Sequence, residues 1–285
     1  MRPSNFPECG DVCFTPVELL PGVWHIRCNY GDLVFMTLLV GETGALLVDT
    51  GYGYGDLPGV VRSITELPLT VVCSHGHSDH NGGNFQFPRA WQSRLDLKVT
   101  DWSRLDEINE NVLRMCPPPE AGGFDYEAFL RYDPADTLPL EDGQVFDLGG
   151  VTVQTVLVGN HTPGSCAFYV PERSLLVAGD AVGPAVALNT RFESCSVEAH
   201  IRKLHALEAL SFDWILSGHS DRLLPRRELN SCIDVAEHLD EAFSGRYRSQ
   251  LYPSYECRMY FYTNASGDTS VLILPKPEKK PPVQP

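Results

Sequence analysis

The sequence predicts an α/β fold, because short apolar runs typical of strands alternate with segments that have the periodicity of amphipathic helices. The alternation occurs in two halves, one before residue 85 and one after residue 138. The chain has 285 residues, 43% of them hydrophobic, which is enough to bury the core of one large domain. We therefore predict a single domain over residues 1–285.

The first half is predicted to contain four strands and one helix, separated by turns that are rich in glycine. The predicted strands are Gly22–Ile26, Leu33–Val40, Ala45–Asp49 and Leu69–Cys73, and the predicted helix is Leu57–Glu66.

The second half repeats the alternation and ends in a hairpin. The predicted strands are Val151–Val158, Cys166–Val170 and Leu175–Ala178; two helices follow at Val197–Leu210, with Ser196 as its N-cap, and at Arg226–Phe243. The hairpin pairs Arg258–Thr263 with Thr269–Leu274. The final segment, about residues 276–285, is rich in proline and lysine and is predicted to be a disordered tail.

A helical insertion is predicted at about residues 86–138, between the two halves. Apolar residues recur there at helical spacing from Trp102 to Met115, and three prolines then break the pattern. Packing of these aromatics against the rest of the domain is the simpler interpretation. The alternative is a wall over the functional site, in which Trp102, Phe124 and Tyr126 contact substrate.

The most informative pattern lies directly after the strand that ends at Cys73. His75, His77, Asp79 and His80 place four potential metal ligands within six residues. A lone histidine is usually an ordinary hydrogen-bonded side chain. Four such residues at this spacing instead indicate a metal site with room for two cations.

Three more candidate ligands stand at the ends of other apolar runs. His161, Asp180 and His219 each follow a strand-like segment at a turn that contains glycine. Such turns can present ligands with little reorganisation. A site that holds two metals about 3.5–4 Å apart needs roughly six or seven protein ligands, and the sequence offers seven.

This ordered set, preceded by Leu46-Leu47-Val48-Asp49-Thr50-Gly51, resembles the metallo-β-lactamase-fold hydrolase superfamily over about residues 23–219. The resemblance implies a four-layer αββα sandwich. It also implies that His75, His77 and His161 bind a first metal, that Asp79, His80 and His219 bind a second, and that Asp180 bridges them. Asp49 would orient a ligand by a hydrogen bond without touching either metal.

The resemblance implies two divalent metal ions as cofactors. Five imidazoles and two carboxylates suit Zn best, while Fe or Mn accept the same donors. Water bridging two such ions loses a proton near neutral pH, and the resulting hydroxide is the expected nucleophile. Asp79 is the expected catalytic residue, because it can orient this nucleophile and pass a proton to the leaving group.

Within the superfamily, the chain is most similar to the glyoxalase II-like thioesterases, on the basis of Asp180 and the His-Thr-Pro-Gly-Ser sequence that begins at His161. Asn160 departs from that pattern, in which a glycine usually precedes the histidine. The β-lactamases of this fold lack an acidic residue at the Asp180 position, which disfavours antibiotic hydrolysis. Acyl-homoserine lactonases carry a tyrosine between the bridging aspartate and the last histidine, and residues 181–218 contain none.

The expected reaction is therefore hydrolysis of an ester, a thioester or a lactone of a small molecule. Two alternatives stay open: a phosphodiesterase of the same fold, and a non-catalytic metal-binding module. The formal charge of −15 argues against a nucleic-acid partner, since such partners are bound chiefly through Lys and Arg.

Other features place limits on location, cysteine chemistry and assembly. No apolar run is long enough to span a membrane and no secretory signal is evident, so a cytoplasmic protein is expected. Nine cysteines without CxxC spacing indicate buried, reduced thiols. The oligomeric state stays open, although the terminal hairpin could pair in a homodimer. The four remaining histidines, which are not predicted to be ligands, are His25, His200, His205 and His238.

Overall fold

The strands form three sheets, of seven, six and four strands. The structure is a computed structural model, and it describes residues 13–103, 112–117, 123–190, 192–248 and 256–275. The tail predicted from residue 276 onward lies outside the described residues.

The first sheet contains the strands of the amino-terminal half in chain order. They are β1 (Phe14–Leu20), β2 (Val23–Cys28), β3 (Phe35–Val40), β4 (Ala45–Val48), β5 (Leu69–Val72), β6 (Trp91–Gln92) and β7 (Leu138–Pro139). The pairs from β1 to β4 are antiparallel, and those from β4 to β7 are parallel. A parallel connection needs a crossover, which α1 (Leu57–Ile64) provides between β4 and β5.

The second sheet contains most strands of the carboxy-terminal half. In chain order these are β8 (Val145–Asp147), β9 (Thr152–Leu157), β10 (Cys166–Val170), β11 (Leu175–Gly179), β13 (Trp214–Ser217) and β14 (Leu224–Pro225). Their spatial order is β14-β13-β11-β10-β9-β8, and the β11–β13 pair is parallel.

The third sheet is smaller and brings distant parts of the chain together. It consists of β12 (Ala185–Ala187), β15 (Ser244–Arg248), β16 (Glu256–Thr263) and β17 (Thr269–Pro275), in the order β12-β17-β16-β15. The β12–β17 pair is parallel, and the other two pairs are antiparallel.

Successive side chains of β4 enter different cores, because neighbours on a strand point to opposite faces of the sheet. Leu46 packs with Phe168 between the two large sheets. Leu47 lies on the outer face, in the core that α1 covers.

The second sheet is layered in the same way. Its outer face, which includes Leu176, packs against α5 (Val197–Leu207) and α6 (Arg227–Glu237). The order of layers is therefore helix, sheet, sheet, helix, which confirms the αββα sandwich.

Most predicted elements are present. Ser196 caps α5 by accepting a hydrogen bond from the Ala199 N–H. The terminal hairpin pairs the two segments that were predicted to form it. The second predicted helix, Arg226–Phe243, is too long: α6 ends at Glu237, and Phe243 is 67% exposed. The strands that were not predicted are β1, β6, β7, β8, β12, β14 and β15.

The region predicted as a helical insertion is more varied than its sequence pattern indicates. Its described residues include the short strands β6 and β7 near its two ends and the helices α3 (Leu97–Ser103) and α4 (Tyr126–Arg131), with helical backbone also at residues 112–115. These strands extend the first sheet, so the segment is joined to the sandwich by backbone hydrogen bonds. No helix among the described residues is long and apolar enough to cross a membrane.

Candidate metal centre

The candidate ligands converge because they follow strands that end at the same edges of the two large sheets. Asp49 follows β4 and His75 lies just beyond β5, its parallel neighbour. Asp180 and His219 follow β11 and β13, which are also parallel neighbours. Ligands at the ends of adjacent parallel strands are held close together by the sheet itself.

The first cluster consists of His75, His77 and His161, all three buried. His77 Nδ1 lies 3.0 Å from His75 Nε2 and 2.9 Å from His161 Nε2. Three ring nitrogens therefore point at one small volume.

The second cluster consists of Asp79, His80 and His219. Asp79 and His80 belong to the one-turn helix α2 (Ser78–Asn81), which begins directly after His77. The Asp79 Oδ2 atom lies 3.6 Å from the Nε2 atoms of both His80 and His219, and these two nitrogens are 3.3 Å apart.

Asp180 lies between the two clusters. Its Oδ2 atom is 3.9 Å from His75 Nε2 and 3.7 Å from His161 Nε2 in the first cluster. On the other side, Asp180 Oδ2 is 3.2 Å from His219 Nε2, and Asp180 Oδ1 is 3.4 Å from His80 Nε2. The structure thus brings together all seven residues that the sequence singled out.

The outward ring nitrogens of four of these histidines have hydrogen-bond partners. His80 Nδ1 lies 2.8 Å from Asp49 Oδ2, and His75 Nδ1 lies 3.0 Å from the Ser74 hydroxyl oxygen. The Nδ1 atoms of His161 and His219 contact the carbonyl oxygens of Ala187 and Leu33. A ring N–H donated outward leaves the lone pair of the other nitrogen facing the cluster, as metal coordination requires.

Asp49 is held in place by several contacts. Its carboxylate accepts hydrogen bonds from the Ser74 N–H at 2.6 Å and the Ser74 hydroxyl at 2.7 Å, besides its contact with His80. Its φ of 68° lies in the left-handed region, which is uncommon for a residue other than glycine. The turn after β4 therefore aims this carboxylate at His80.

The donor set fits divalent metal ions. Asp180 Oδ1 is buried and makes no hydrogen bond, which is costly for a carboxylate unless a cation compensates it. The inward-facing nitrogens of the first cluster also lie within hydrogen-bond distance of one another. A neutral imidazole carries a single N–H, so a ring that donates it outward cannot donate a second hydrogen bond toward the cluster. Bound cations would satisfy both groups of atoms.

The electrostatics of the clusters differ. Burial, together with the neighbouring imidazoles, lowers the pKa values of His75 and His77 well below the usual value, so both are neutral donors. Burial also lowers the pKa of His80, but the carboxylates of Asp180, Asp79 and Asp49 outweigh it and raise that pKa well above the usual value. The second cluster therefore strongly favours positive charge.

Asp96 supports the site and was not identified from the sequence. Its buried carboxylate accepts hydrogen bonds from the N–H groups of Gly76 and Gly164 and from the Thr162 hydroxyl, at 2.8, 2.6 and 2.6 Å. These donors flank His75 and His161. No local motif marks Asp96, because its partners are 20 to 68 residues away in the chain.

Asn160 was noted in the sequence only as a departure from the family pattern. Both the oxygen and the nitrogen of its side-chain amide make hydrogen bonds that hold the segments around the metal centre. Its Oδ1 accepts from the His161 N–H at 2.8 Å, and its Nδ2 donates to the Ala181 carbonyl at 2.8 Å and to His200 Nδ1 at 3.0 Å. The Asn160 amide thus joins the backbones next to His161 and Asp180, a link that glycine could not make.

Of the three residues predicted to contact substrate, the structure describes the side chains of Phe124 and Tyr126. The Trp102 backbone lies in α3, while its side chain lies outside the described residues. Phe124 packs edge-on against Tyr54, with ring centroids 5.5 Å apart, and also contacts Tyr126 and Phe129. This aromatic cluster anchors the inserted segment to the first sheet; a role of these residues in substrate binding stays a prediction.

The histidines predicted not to be ligands lie apart from the clusters. His25 contacts Thr37 and the Ser220 carbonyl, and His200 contacts Asn160. His205 contacts Glu208, and His238 stacks on Tyr262. No disulfide occurs among the described cysteines.

Comparison with known proteins identifies related sequences. The sequence model of the metallo-beta-lactamase superfamily matches residues 29–219. The human acyl-coenzyme A thioesterase MBLAC2 is 26% identical over 189 residues, which make up 56% of this chain and 67% of that protein. The probable metallo-hydrolase YqgX of Bacillus subtilis is 24% identical over 183 residues, or 64% of this chain and 82% of that protein.

Solved structures share the architecture. A metallo-beta-lactamase from Pontibacter korlensis superposes with a TM-score of 0.57 at 16% identity, covering 79% of this chain and 99% of that one. The family protein TTHA1429 from Thermus thermophilus superposes with a TM-score of 0.54 at 21% identity, covering 75% and 79%. At these identities the likeness shows a common fold.

Proposed function

Because this chain belongs to the metallo-beta-lactamase superfamily and is a metal-dependent hydrolase, we propose that it hydrolyses acyl thioesters or esters of small molecules at a dinuclear metal centre. The observation that carries the proposal is the position of Asp180, whose carboxylate lies within 3.9 Å of ring nitrogens from both clusters. A single carboxylate in this position is suited to bridge two cations.

In the proposed centre, the first cluster holds one metal and the second cluster holds the other. The five imidazoles and two carboxylates favour Zn, and Fe or Mn fit the same donors. When bound, such ions supply Lewis acidity that polarises an acyl carbonyl and activates water.

Side chains of the protein would carry out proton transfer and hold the metal ligands in position. Asp79 is the proposed catalytic residue: its Oδ2 faces both His80 and His219, so the carboxylate can orient an attacking water and accept its proton. Returning that proton to the departing thiolate or alkoxide completes the hydrolysis. Asp49 positions His80 directly and His75 through the Ser74 hydroxyl, so its role is to orient ligands.

The substrate class is proposed from chemistry and from the relatives together. MBLAC2 is an acyl-coenzyme A thioesterase, so an acyl thioester is the substrate that this chain would share with it. A thiolate is a good leaving group, which suits a site with one proposed acid–base residue. The chain's charge of −15 gives no general attraction for the anionic phosphates of coenzyme A, so we propose that recognition centres on the acyl group.

The test uses the full chain loaded separately with Zn, Mn or Fe and offered four substrates. These are an acyl-coenzyme A, the same acyl group on N-acetylcysteamine, a p-nitrophenyl ester and bis(p-nitrophenyl) phosphate. We expect two metal equivalents by elemental analysis and the highest kcat/KM on a thioester. Similar values for the two thioesters would indicate that the acyl group dominates recognition.

Two results would overturn the proposal. Faster turnover of the phosphodiester than of every acyl substrate would make the protein a phosphodiesterase. One bound metal and no turnover of any substrate would leave a non-catalytic metal-binding module.

A further inference from the structure

The third sheet has two chemically different faces. Paired residues on neighbouring strands share a face, so the register divides the side chains of the sheet into two sets. One set packs on α6: Leu272 is buried in the same core as Leu229 and Ile233, and Tyr262 packs against that core.

The opposite set carries no charge and is only partly exposed: Ile273 is buried, whereas Phe261 is exposed. The row Ala187–Ile273–Met259–Gly245 crosses all four strands, with Val271 paired to Phe261 on one side and Tyr247 paired to Cys257 on the other. We use the name apolar face for six of its residues: Ala187, Tyr247, Met259, Phe261, Val271 and Ile273. Among the described residues of the sheet, none on this side is charged.

Glycine at position 245 keeps this surface flat. A Cβ built on Gly245 would lie 3.9 Å from Phe261 Cε2, so the phenyl ring extends across the neighbouring strand on this side. Phe261 is nevertheless 42% exposed, which leaves its ring available to a ligand.

One edge of the apolar face touches the candidate metal centre. Strand β12 follows Asp180 by only a few residues, and the Ala187 carbonyl oxygen accepts the hydrogen bond from His161 Nδ1. The Asn189 N–H then donates to the His161 carbonyl at 3.0 Å. The apolar face thus begins beside the first cluster.

The opposite edge of the sheet is β15, which carries Tyr247. The three strand spacings of about 4.8 Å between β12 and β15 give a face about 14 Å wide that begins beside the first cluster.

We propose that the apolar face binds the acyl chain of the substrate and makes the enzyme selective for long, unbranched acyl groups. This inference rests on the proposed function, because it places the scissile carbonyl at the metal centre and the alkyl chain along the sheet. An apolar surface that adjoins a polar catalytic centre matches the two chemically different ends of an acyl thioester.

The first test measures kcat/KM on acetyl, hexanoyl and decanoyl thioesters of N-acetylcysteamine. Burial of each added methylene on the apolar face should raise kcat/KM by about two- to fourfold. Isothermal titration of the metal-loaded protein with decanoate and with acetate measures the same preference without turnover.

The variants are Phe261→Gln and the double variant Met259→Gln with Phe261→Gln. The control is Val145→Gln, because Val145 is 56% exposed on β8, at the edge strand of a different sheet. We expect the decanoyl-to-acetyl ratio of kcat/KM to fall about tenfold or more in the double variant and to stay unchanged in the control. Circular dichroism checks that the variants fold. If the double variant does not fold, the test rests on Phe261→Gln and on the dependence of kcat/KM on acyl-chain length in the unmodified protein.

Failure of this inference and of the proposed function are distinguishable. Turnover of acyl thioesters with no dependence on chain length, in the unmodified protein and the variants alike, would overturn the acyl-chain assignment and leave the function intact. Preferential binding of decanoate without turnover of any acyl substrate would do the reverse. A dimer by sedimentation that the double variant dissociates, with an unchanged decanoyl-to-acetyl ratio, would make the face a contact between copies and overturn the assignment.

Discussion

The Asp96 carboxylate accepts a 2.8 Å hydrogen bond from the N–H of Gly76, the residue between two candidate ligands. The same carboxylate accepts a 2.6 Å hydrogen bond from the N–H of Gly164, so one buried side chain fixes the loops that carry His75 and His161. These loops belong to opposite halves of the chain. The first cluster is therefore assembled by a tertiary contact and not by local sequence.

Replacing Asp96 with asparagine should weaken both loops. Asparagine has an NH₂ group in place of one of the two carboxylate oxygens. This group would face the N–H of either Gly76 or Gly164, and that buried N–H would lose its hydrogen-bond acceptor. We expect a loss of about 2–4 kcal/mol in the free energy of unfolding, together with weaker metal binding. Urea unfolding and metal titration measure these effects. Asp101→Asn, at an exposed position on α3, is the control; an Asp96→Asn variant with unchanged stability and metal affinity would refute the role of Asp96.

A Gly218→Ala substitution should damage the second cluster by steric contact. A Cβ at this position would lie 2.6 Å from His80 Cε1 and 2.7 Å from Asp180 Oδ1, so both side chains would have to move. Displacement of catalytic groups by about 1 Å can cost roughly 10²-fold in rate, and we expect at least that loss in kcat/KM. Gly44→Ala is the matched control, because its nearest atoms are 3.7 Å away. Equal activity of the two variants would contradict the described geometry.

Asp180→Asn tests the bridging assignment. Loss of a residue that only orients a metal ligand typically costs about 10- to 100-fold in affinity or activity, and loss of a direct bridging ligand should cost more. We expect the variant to retain about one metal equivalent and to lose most of its turnover. Elemental analysis after dialysis and kcat/KM on a thioester are the measurements. Two retained metals with full activity would show that Asp180 does not bridge.

Stability should fall as the pH decreases below 6.5, because of two buried histidines. Burial lowers the pKa values of His25 and His200 to about 4, so the unfolded chain takes up protons between pH 6.5 and 4 that the folded protein does not. Each histidine should therefore reduce the free energy of unfolding by up to about 3 kcal/mol across this window.

His200→Gln isolates one of these contributions. Comparing unfolding of the variant with that of the parent protein at pH 7 and pH 4.5 cancels the acid sensitivity that both share, including any from the metal centre. We expect a smaller pH dependence of the free energy of unfolding for His200→Gln than for the parent protein. An identical pH dependence for His200→Gln would show that His200 does not titrate as described.

The sequence predicted much of the sandwich because its strands and helices carry strong local signals. The unbroken apolar run of β4 and the capped amphipathic helix α5 depend on neighbours within a few residues. Strand β15, with the sequence Ser-Gly-Arg-Tyr-Arg, has no apolar run of this kind. It is a strand because it pairs with β16, and that pairing cannot be inferred from its own composition.

The candidate site divides in the same way. The sequence by itself determined the seven residues of the two clusters, because each stands at a strand end or in the dense motif between residues 75 and 80. Only the tertiary structure decided which residues support them, since Asp96, Asn160 and Leu33 act through hydrogen bonds to distant segments. The apolar face also depends on tertiary structure, because parallel pairing of β12 with β17 places a carboxy-terminal hairpin beside His161. The identity of the candidate ligands depends on residues that are close in sequence. The contacts that hold these ligands in position form only when distant strands pack together.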